Sequence, residues 1–408
     1  MRSIVVLRCL VLNLASPELG KTRIFVCPAE EPSVPPDEFF LQDKYHLMVG
    51  SGVFTGPSES LTDSFYTLNL SVLKHVYEEW TEALPNVKPY YAVKCNPTPA
   101  IVEALAKMGS NFDCASPAEI QQVLDLGVEP ERILYANPCK RVEDIRFAKM
   151  NKITRTTFDS VCELKKMAAE FPEMKLFLRI RADDPSARCN LGVKYGAEEH
   201  EWDVLLFTAR TLGLEVVGVS LHVGSFASSP KVFGNAVKTA TRALKLARKH
   251  GYDPRIIDIG GGFSATHGLP KTIKAPKGVE LIAEPGRFFV ERVMELHTPV
   301  IGTKGSGLTV SESLYGAFNC ILFDHAAPQV KEVRDELGNK IEGQPIKRTI
   351  FGSTCDGGDV IYKEYELPEG TDLGSWITWE NMGAYTCAAT TRFNGIAFND
   401  RYIKCIDA

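Results

Sequence analysis

The chain lacks the features that would tie it to a membrane, to nucleic acid or to a metal. None of its apolar runs approaches the roughly 20 residues that a spanning helix needs. A net charge of −5 leaves no basic surplus for a phosphate backbone. The 11 cysteines are scattered at 9, 27, 95, 114, 139, 162, 189, 320, 355, 387 and 405. No Cys-x-x-Cys pair occurs, which removes zinc-finger and thioredoxin-like spacing, so no metal is expected. Several of these cysteines fall in apolar runs, the pattern of reduced thiols packed in a core, and a cytoplasmic address follows from it. Residues 1–15 are apolar with Arg2 and Arg8 and no acid before Glu18. Arg8 interrupts what would be the core of a secretory signal, and organellar targeting stays open beside the cytoplasm.

What is present is an ordinary globular composition, 44% hydrophobic and 24% charged, over 408 residues. That length suits two or three domains, or one barrel with an added domain. Residues 1–61 are broken by Pro28, Pro32, Pro35, Pro36, Gly50, Gly52, Gly56 and Pro57. Within them, 22–27 could lend a strand to a sheet elsewhere. Residues 64–68 read as a strand and 70–84 as a helix.

Beyond that point strand-like runs alternate with amphipathic stretches. The runs are 90–93, 111–114, 133–136, 156–158, 176–180, 216–223, 256–259 and 281–283. Eight strands, most returning through a helix, predict an α/β fold: a closed parallel (β/α)8 barrel over 62–290. From 291 to 408 the runs are short and separated by turn residues such as Gly338-Asn339 and Gly357-Gly358. They predict an antiparallel β-sheet domain.

In such a barrel the chemistry collects where strands end. The first run, Pro89 to Asn96, closes on Lys94. A lysine at the mouth of a buried strand loses water, which lowers its pKa and frees an amine to attack a carbonyl. Taken alone it is more simply a lysine reaching for solvent. Asp113, Arg179, His222, Glu284 and Arg287 stand at the ends of other runs. Gly260-Gly261-Gly262 offers either consecutive backbone N–H groups to an anion or a flexible turn. Gly286-Arg287 adds a guanidinium suited to phosphate. Glu284 suits either a protonated pyridine nitrogen or a salt bridge to Arg179 or Arg287. His222 is either a satisfied core histidine or a ring lying flat on a planar cofactor.

These motifs together resemble the eukaryotic ornithine decarboxylase family of alanine-racemase-like pyridoxal-phosphate enzymes. The likeness rests on Tyr91–Asn96, Phe112–Ser116, Tyr135–Pro138, His222–Ser225, Asp258–Phe263 and Glu284–Arg287. Phe318–His325, Cys355-Asp356-Gly357 and Glu380–Tyr385 extend it to about residues 62–396. The resemblance implies pyridoxal 5'-phosphate held covalently by Lys94, with Glu284 at its ring nitrogen and His222 stacked on its ring. It implies a phosphate cradle of Ser225, Gly260, Gly261, Gly262, Gly286, Arg287 and Tyr385, and Asp113 and Arg179 flanking the ring and Glu284. Phe323, Asp324 and Asp356 would meet the far amino group of an amino-acid substrate, and Cys355 would return a proton to Cα. The implied reaction is decarboxylation of ornithine to putrescine, a step of polyamine biosynthesis. Lysine as substrate, or a non-catalytic antizyme-inhibitor-like regulator, are the alternatives. Cys355-Asp356-Gly357-Gly358-Asp359 departs from the Cys-Glu-Ser-Gly-Asp of diaminopimelate decarboxylases. The family further implies a homodimer with shared active sites and an antizyme-like protein regulator.

The chain departs from the family in four places. No helix is apparent over 263–283, which predicts a bare barrel strand exposing apolar surface. The stretch 288–314 is short and predicts a strand fewer in the β domain. Phe323 stands where relatives have Tyr, and the bulk of Phe226 predicts a crowded phosphate loop.

Overall fold

A computed structural model describes residues 47–49 and 63–406, apart from 183–191, 193, 225–229, 266–267 and 271–272. The strand expected over 22–27 lies outside the described residues, as do Ser225 and Phe226.

Strands β1 (Leu47–Val49) and β2 (Phe65–Asn69) come first. Helix α1 (Leu70–Ala83) begins where the Asn69 side chain accepts the Val72 N–H at 3.1 Å, an N-cap that satisfies one of the helix's open donors. Its buried stripe, Leu73, Val76 and Trp80, follows helical spacing.

Eight parallel strands then close on themselves. They are β3 (Val87–Ala92), β4 (Asn111–Cys114), β5 (Ile133–Tyr135), β6 (Arg155–Phe158), β7 (Lys175–Arg179), β8 (Glu215–Ser220), β9 (Ile256–Asp258) and β10 (Glu280–Ala283), with β10 pairing β3. Helices α2 (Pro99–Lys107), α3 (Pro117–Asp125), α4 (Val142–Met150), α5 (Val161–Glu170), α6 (Trp202–Thr211) and α7 (Pro230–Lys249) follow the first six strands in turn. Local chemistry fixes where they start. Pro99 and Pro117 sit at first helical positions, where a missing N–H costs nothing. Ser116 accepts from Glu119 N at 3.3 Å while the Glu119 carboxylate takes the Ala115 N–H at 2.6 Å. That reciprocal cap closes the turn directly after β4.

Strand alternation divides the barrel's apolar residues between two cores. Tyr90, Leu134, Phe177 and Ile282, from β3, β5, β7 and β10, form a small separate cluster that fills the lumen. Their neighbours Tyr91, Tyr135, Leu176 and Leu281 join the larger core beneath the helices.

No helix links β9 to β10 among the described residues. The strands there are nonetheless covered, with Ile257 at 0% and Leu281 at 1% exposure. The expected bare apolar strand is therefore absent. Phe263 takes the place of a helix: it stacks on Phe233 of α7 at 4.2 Å and meets Trp80 of α1 edge-on at 4.9 Å. Two neighbouring helices and three aromatic rings close the gap.

After β10 come a single helical turn, α8 (Arg287–Val290), and the strands β11 (Met294–Lys304) and β12 (Gly307–Val310). The stretch 288–314 thus supplies two strands of the second sheet. Helix α9 (Asn319–Phe323) and strands β13 (Gln329–Arg334), β14 (Pro345–Phe351), β15 (Val360–Pro368), β16 (Trp376–Glu380) and β17 (Tyr402–Ile406) complete the chain. The sheet has nine strands and is mixed rather than antiparallel, because β17 lies parallel between β1 and β2, and β12 runs parallel to β14. Residues before the barrel thus belong to the second sheet, through β2 as well as β1.

Among the described residues no helix is long and apolar enough to cross a membrane. No group of three His, Cys, Asp or Glu among them is placed to hold a metal ion.

Candidate active site

A cavity of about 400 Å³ opens at the C-terminal mouth of the barrel. Lys94, Arg179, His222, Gly261, Gly262 and Glu284 line it from the strand ends. Gly286, Arg287, Phe323, Asp324 and Tyr385 line it from the segments that follow. Tyr385 is carried in from the β domain by two bonds: its N–H donates to Cys95 O at 2.9 Å, and Asn96 Nδ2 donates to Gly383 O at 2.8 Å.

Lys94 sits in a single 3-10 turn, Val93–Cys95, directly after β3. Its ammonium is paired with Asp113 at the end of β4. Burial works against the charge, but Asp113 and then Glu284 outweigh it and hold the lysine above its usual range. The expected lowering of its pKa is therefore overturned: the strand end does bury the amine, but it buries carboxylates beside it.

Glu284 follows β10 and is 7% exposed. Burial first, then the neighbouring Asp258 and Asp113 carboxyls, push it well above the usual carboxylate range. The salt bridge expected from Arg287 goes elsewhere. Arg287 donates to both oxygens of Asp324 and lies 3.5 Å from Glu291. Its guanidinium also sits 5.2 Å from the centre of the Tyr385 ring. Arg179 closes β7 and lies 5.3 Å from the Tyr195 ring centre.

Burial, with Arg179 and Lys94 nearby, pushes the His222 imidazole down to about 3, so the ring is neutral. Its Nδ1 accepts the Gly224 N–H at 3.0 Å, which leaves the proton on Nε2. The glycine run fits tightly beside it. Gly260 has φ +64°, and a Cβ there would stand 2.2 Å from Leu221 O. A Cβ on Gly261 would stand 2.8 Å from His222 Nε2. Only glycine lets this turn lie against the imidazole.

Four of the expected residues with described positions do not line the cavity: Asp113 and Gly260, which are buried against Lys94 and His222, and Cys355 and Asp356. Cys355 and Asp356 are exposed on the loop after β14. Cys355 N donates to Asn394 Oδ1 at 3.1 Å, and Asp356 accepts the Tyr315 hydroxyl at 2.7 Å. Asp258, which opens the Asp258–Phe263 motif, has no role in the sequence reading. It is fully buried behind the cavity, and its strand-end position before three glycines was the available signal.

Pyridoxal 5'-phosphate fits these residues. A primary amine meets the cavity, a neutral flat ring forms part of its wall, and a buried carboxyl suited to a pyridinium lines it with them. A cradle too tight for any Cβ lies beside a guanidinium. Asp113 Oδ1, buried without a hydrogen-bond partner, adds acceptor capacity at the same place.

A family model described as the pyridoxal binding domain of pyridoxal-dependent decarboxylases matches residues 70–291. The chain is 41% identical to ornithine decarboxylase of Rattus norvegicus over 366 residues, spanning 82% of this chain and 78% of that one. It is 39% identical to ornithine decarboxylase of Saccharomyces cerevisiae over 367 residues, spanning 82% and 79%. The solved arginine decarboxylase of Paramecium bursaria Chlorella virus matches with a TM-score of 0.79 and 35% identity, covering 85% of this chain and 97% of that one.

Proposed function

The chain belongs to the pyridoxal-dependent decarboxylases, and from that premise we propose that it converts L-ornithine to putrescine and carbon dioxide. The observation that carries the reading is Lys94 and Glu284 on one cavity, with a carboxylate, Asp324, at its edge. When bound, pyridoxal phosphate supplies the electron sink for the pair left on Cα as carbon dioxide departs.

The chain's own residues do the rest. Lys94 attaches the cofactor, and Glu284 keeps a proton at the ring nitrogen. His222, neutral, covers one face without adding charge. Backbone N–H groups of Gly261 and Gly262, with Arg287, Tyr385 and Ser225, hold the phosphate. Asp113 and Arg179 flank the ring. Asp324, and Asp356 of a second copy, bind the substrate's distal ammonium, while Phe323 packs along its chain. Cys355 of that second copy returns the proton to Cα.

Carboxylates at the far end favour a cationic side chain over a second acid. Ornithine and lysine differ by one methylene, worth only about 1–3 kcal/mol of discrimination. The assignment to ornithine therefore leans on the rat and yeast relatives. Free thiols at all eight described cysteines support a cytoplasmic site of action. The family resemblance adds an antizyme-like protein as regulator.

The test is product analysis of the purified protein loaded with pyridoxal phosphate. Ornithine, lysine, arginine and diaminopimelate are offered in turn. Putrescine from ornithine, at a higher kcat/KM than any product of the other three, is the expected result. Faster turnover of another substrate reassigns the specificity. A colourless protein that takes up no cofactor supports the regulator reading instead.

A further inference from the structure

We infer that Asp258 and Glu284 form one buried carboxyl pair holding a single proton, and that Asp258 is the positioning residue that sets the charge Glu284 presents to a ring nitrogen. This rests on the site reading above and extends it to a residue outside the cavity wall.

The backbone brings the two acids together. β9 and β10 are parallel neighbours, with Asp258 opposite Ile282. Past that register, Glu284 N donates to Gly260 O at 2.8 Å, and Gly260 N donates to Asp258 Oδ1 at 2.9 Å. One glycine turn is thus gripped by both residues. Asp258 is 0% exposed. Its Oδ2 is buried and receives no N–H, and the Glu284 carboxyl is within hydrogen-bonding contact of the Asp258 side chain. Two carboxyl oxygens attract each other only when one carries a proton.

Electrostatics point the same way. Asp113 adds a third acid that acts on both carboxyls, and Lys94 and Arg179 are cations that act on Glu284. His222 is neutral, and the nearby Tyr90 hydroxyl, which takes an N–H from Arg155 at 2.7 Å, stays protonated. Two carboxyls this close in a buried site repel when both are ionised, and one proton between them removes the repulsion. Burial pushes Asp258 up to about 7, in keeping with that proton.

Glu284 would pass this proton to a pyridine nitrogen held against it, leaving the pair with one more negative charge and the site's total unchanged. Asp258, by lying behind Glu284, makes the proton available and then strengthens the negative side of the contact. An asparagine at 258 keeps an acceptor for Gly260 N but donates to Glu284 instead. It removes the charge and leaves the turn in place.

The test compares wild type and Asp258→Asn for binding of pyridoxal phosphate and of its 1-deaza analogue, which lacks the ring nitrogen. Asp258→Asn should weaken pyridoxal phosphate by about tenfold or more, equivalent to a shift of one in the ring nitrogen's pKa. It should leave the deaza analogue unchanged. Equal loss for both ligands, or loss for neither, overturns the proposal, because a purely structural role cannot distinguish them. A second measurement does not depend on the cofactor. Infrared spectra of the stripped protein near neutral pH should show a protonated-carboxyl band that Asp258→Asn removes. Absence of that band from wild type refutes the shared proton, whereas a wild type that shows the band yet binds no cofactor refutes the site reading alone.

Discussion

At the level of single residues, the lysine was legible and its charge was not. A short apolar run ending on Lys94 points to an amine at a strand end. Its electrostatic partners come from β4 and β10, many residues away in sequence, so only the closed barrel shows that they hold it protonated. Covalent attachment needs the free amine. Asp113→Asn removes the largest raising influence, so cofactor uptake, followed by absorbance, should become fast at a pH lower by about 1 or more. An unchanged or higher pH for uptake would show that Asp113 does not hold the charge. Asp258 gives a second pH effect, of known sign. Its carboxyl rises from 3.8 to about 7 on folding. The fold therefore binds an extra proton, and this contribution is complete below about pH 4 and lost as pH rises through about 7. In stripped protein, Asp258→Asn should melt at a higher temperature than wild type near pH 8, with the gap clearly smaller near pH 5. A gap of the same size at both values contradicts that linkage.

Among the elements, the eight barrel strands were readable because each is a short apolar run bounded by turn residues. The turn ends were readable too, since Lys94, His222, Glu284 and Arg287 converge on one cavity. What could not be read was how the barrel survives without a helix between β9 and β10. Sequence showed the missing helix but not the cover, because Phe263, Phe233 and Trp80 lie far apart in the chain and meet only in the fold. Their stacking makes Phe263 the cover for β9 and β10. Phe263→Ala should lower stability by about 3–5 kcal/mol in denaturant unfolding. Phe263→Leu should lose less, because it fills more of the space. A loss under about 1 kcal/mol for alanine would mean that another segment covers these strands.

For the whole molecule, the unfinished part of the cavity decides the argument. The β domain was legible from its turns but not its mixed pairing, because β17 inserts between strands from the other end of the chain. Sequence alone also placed Cys355 and Asp356 with the site, on the strength of family likeness. In one chain they stand exposed, away from the Lys94 cavity, on a loop where Tyr315 stacks on Phe393 at 4.1 Å. A proton donor to Cα has to come within hydrogen-bond reach of the reacting carbon. Two copies related by a two-fold axis would meet that need reciprocally, each lending its Cys355 and Asp356 loop to the other's Lys94. The consequence is quantitative. Lys94→Ala and Cys355→Ala proteins, each inactive alone, should regain activity when mixed and allowed to exchange subunits. Half of randomly formed dimers are mixed and each has one intact site of two, so recovery should approach about one quarter of wild-type activity. Exchange confirmed by differently tagged subunits, with no activity regained, would show that each chain completes its own site.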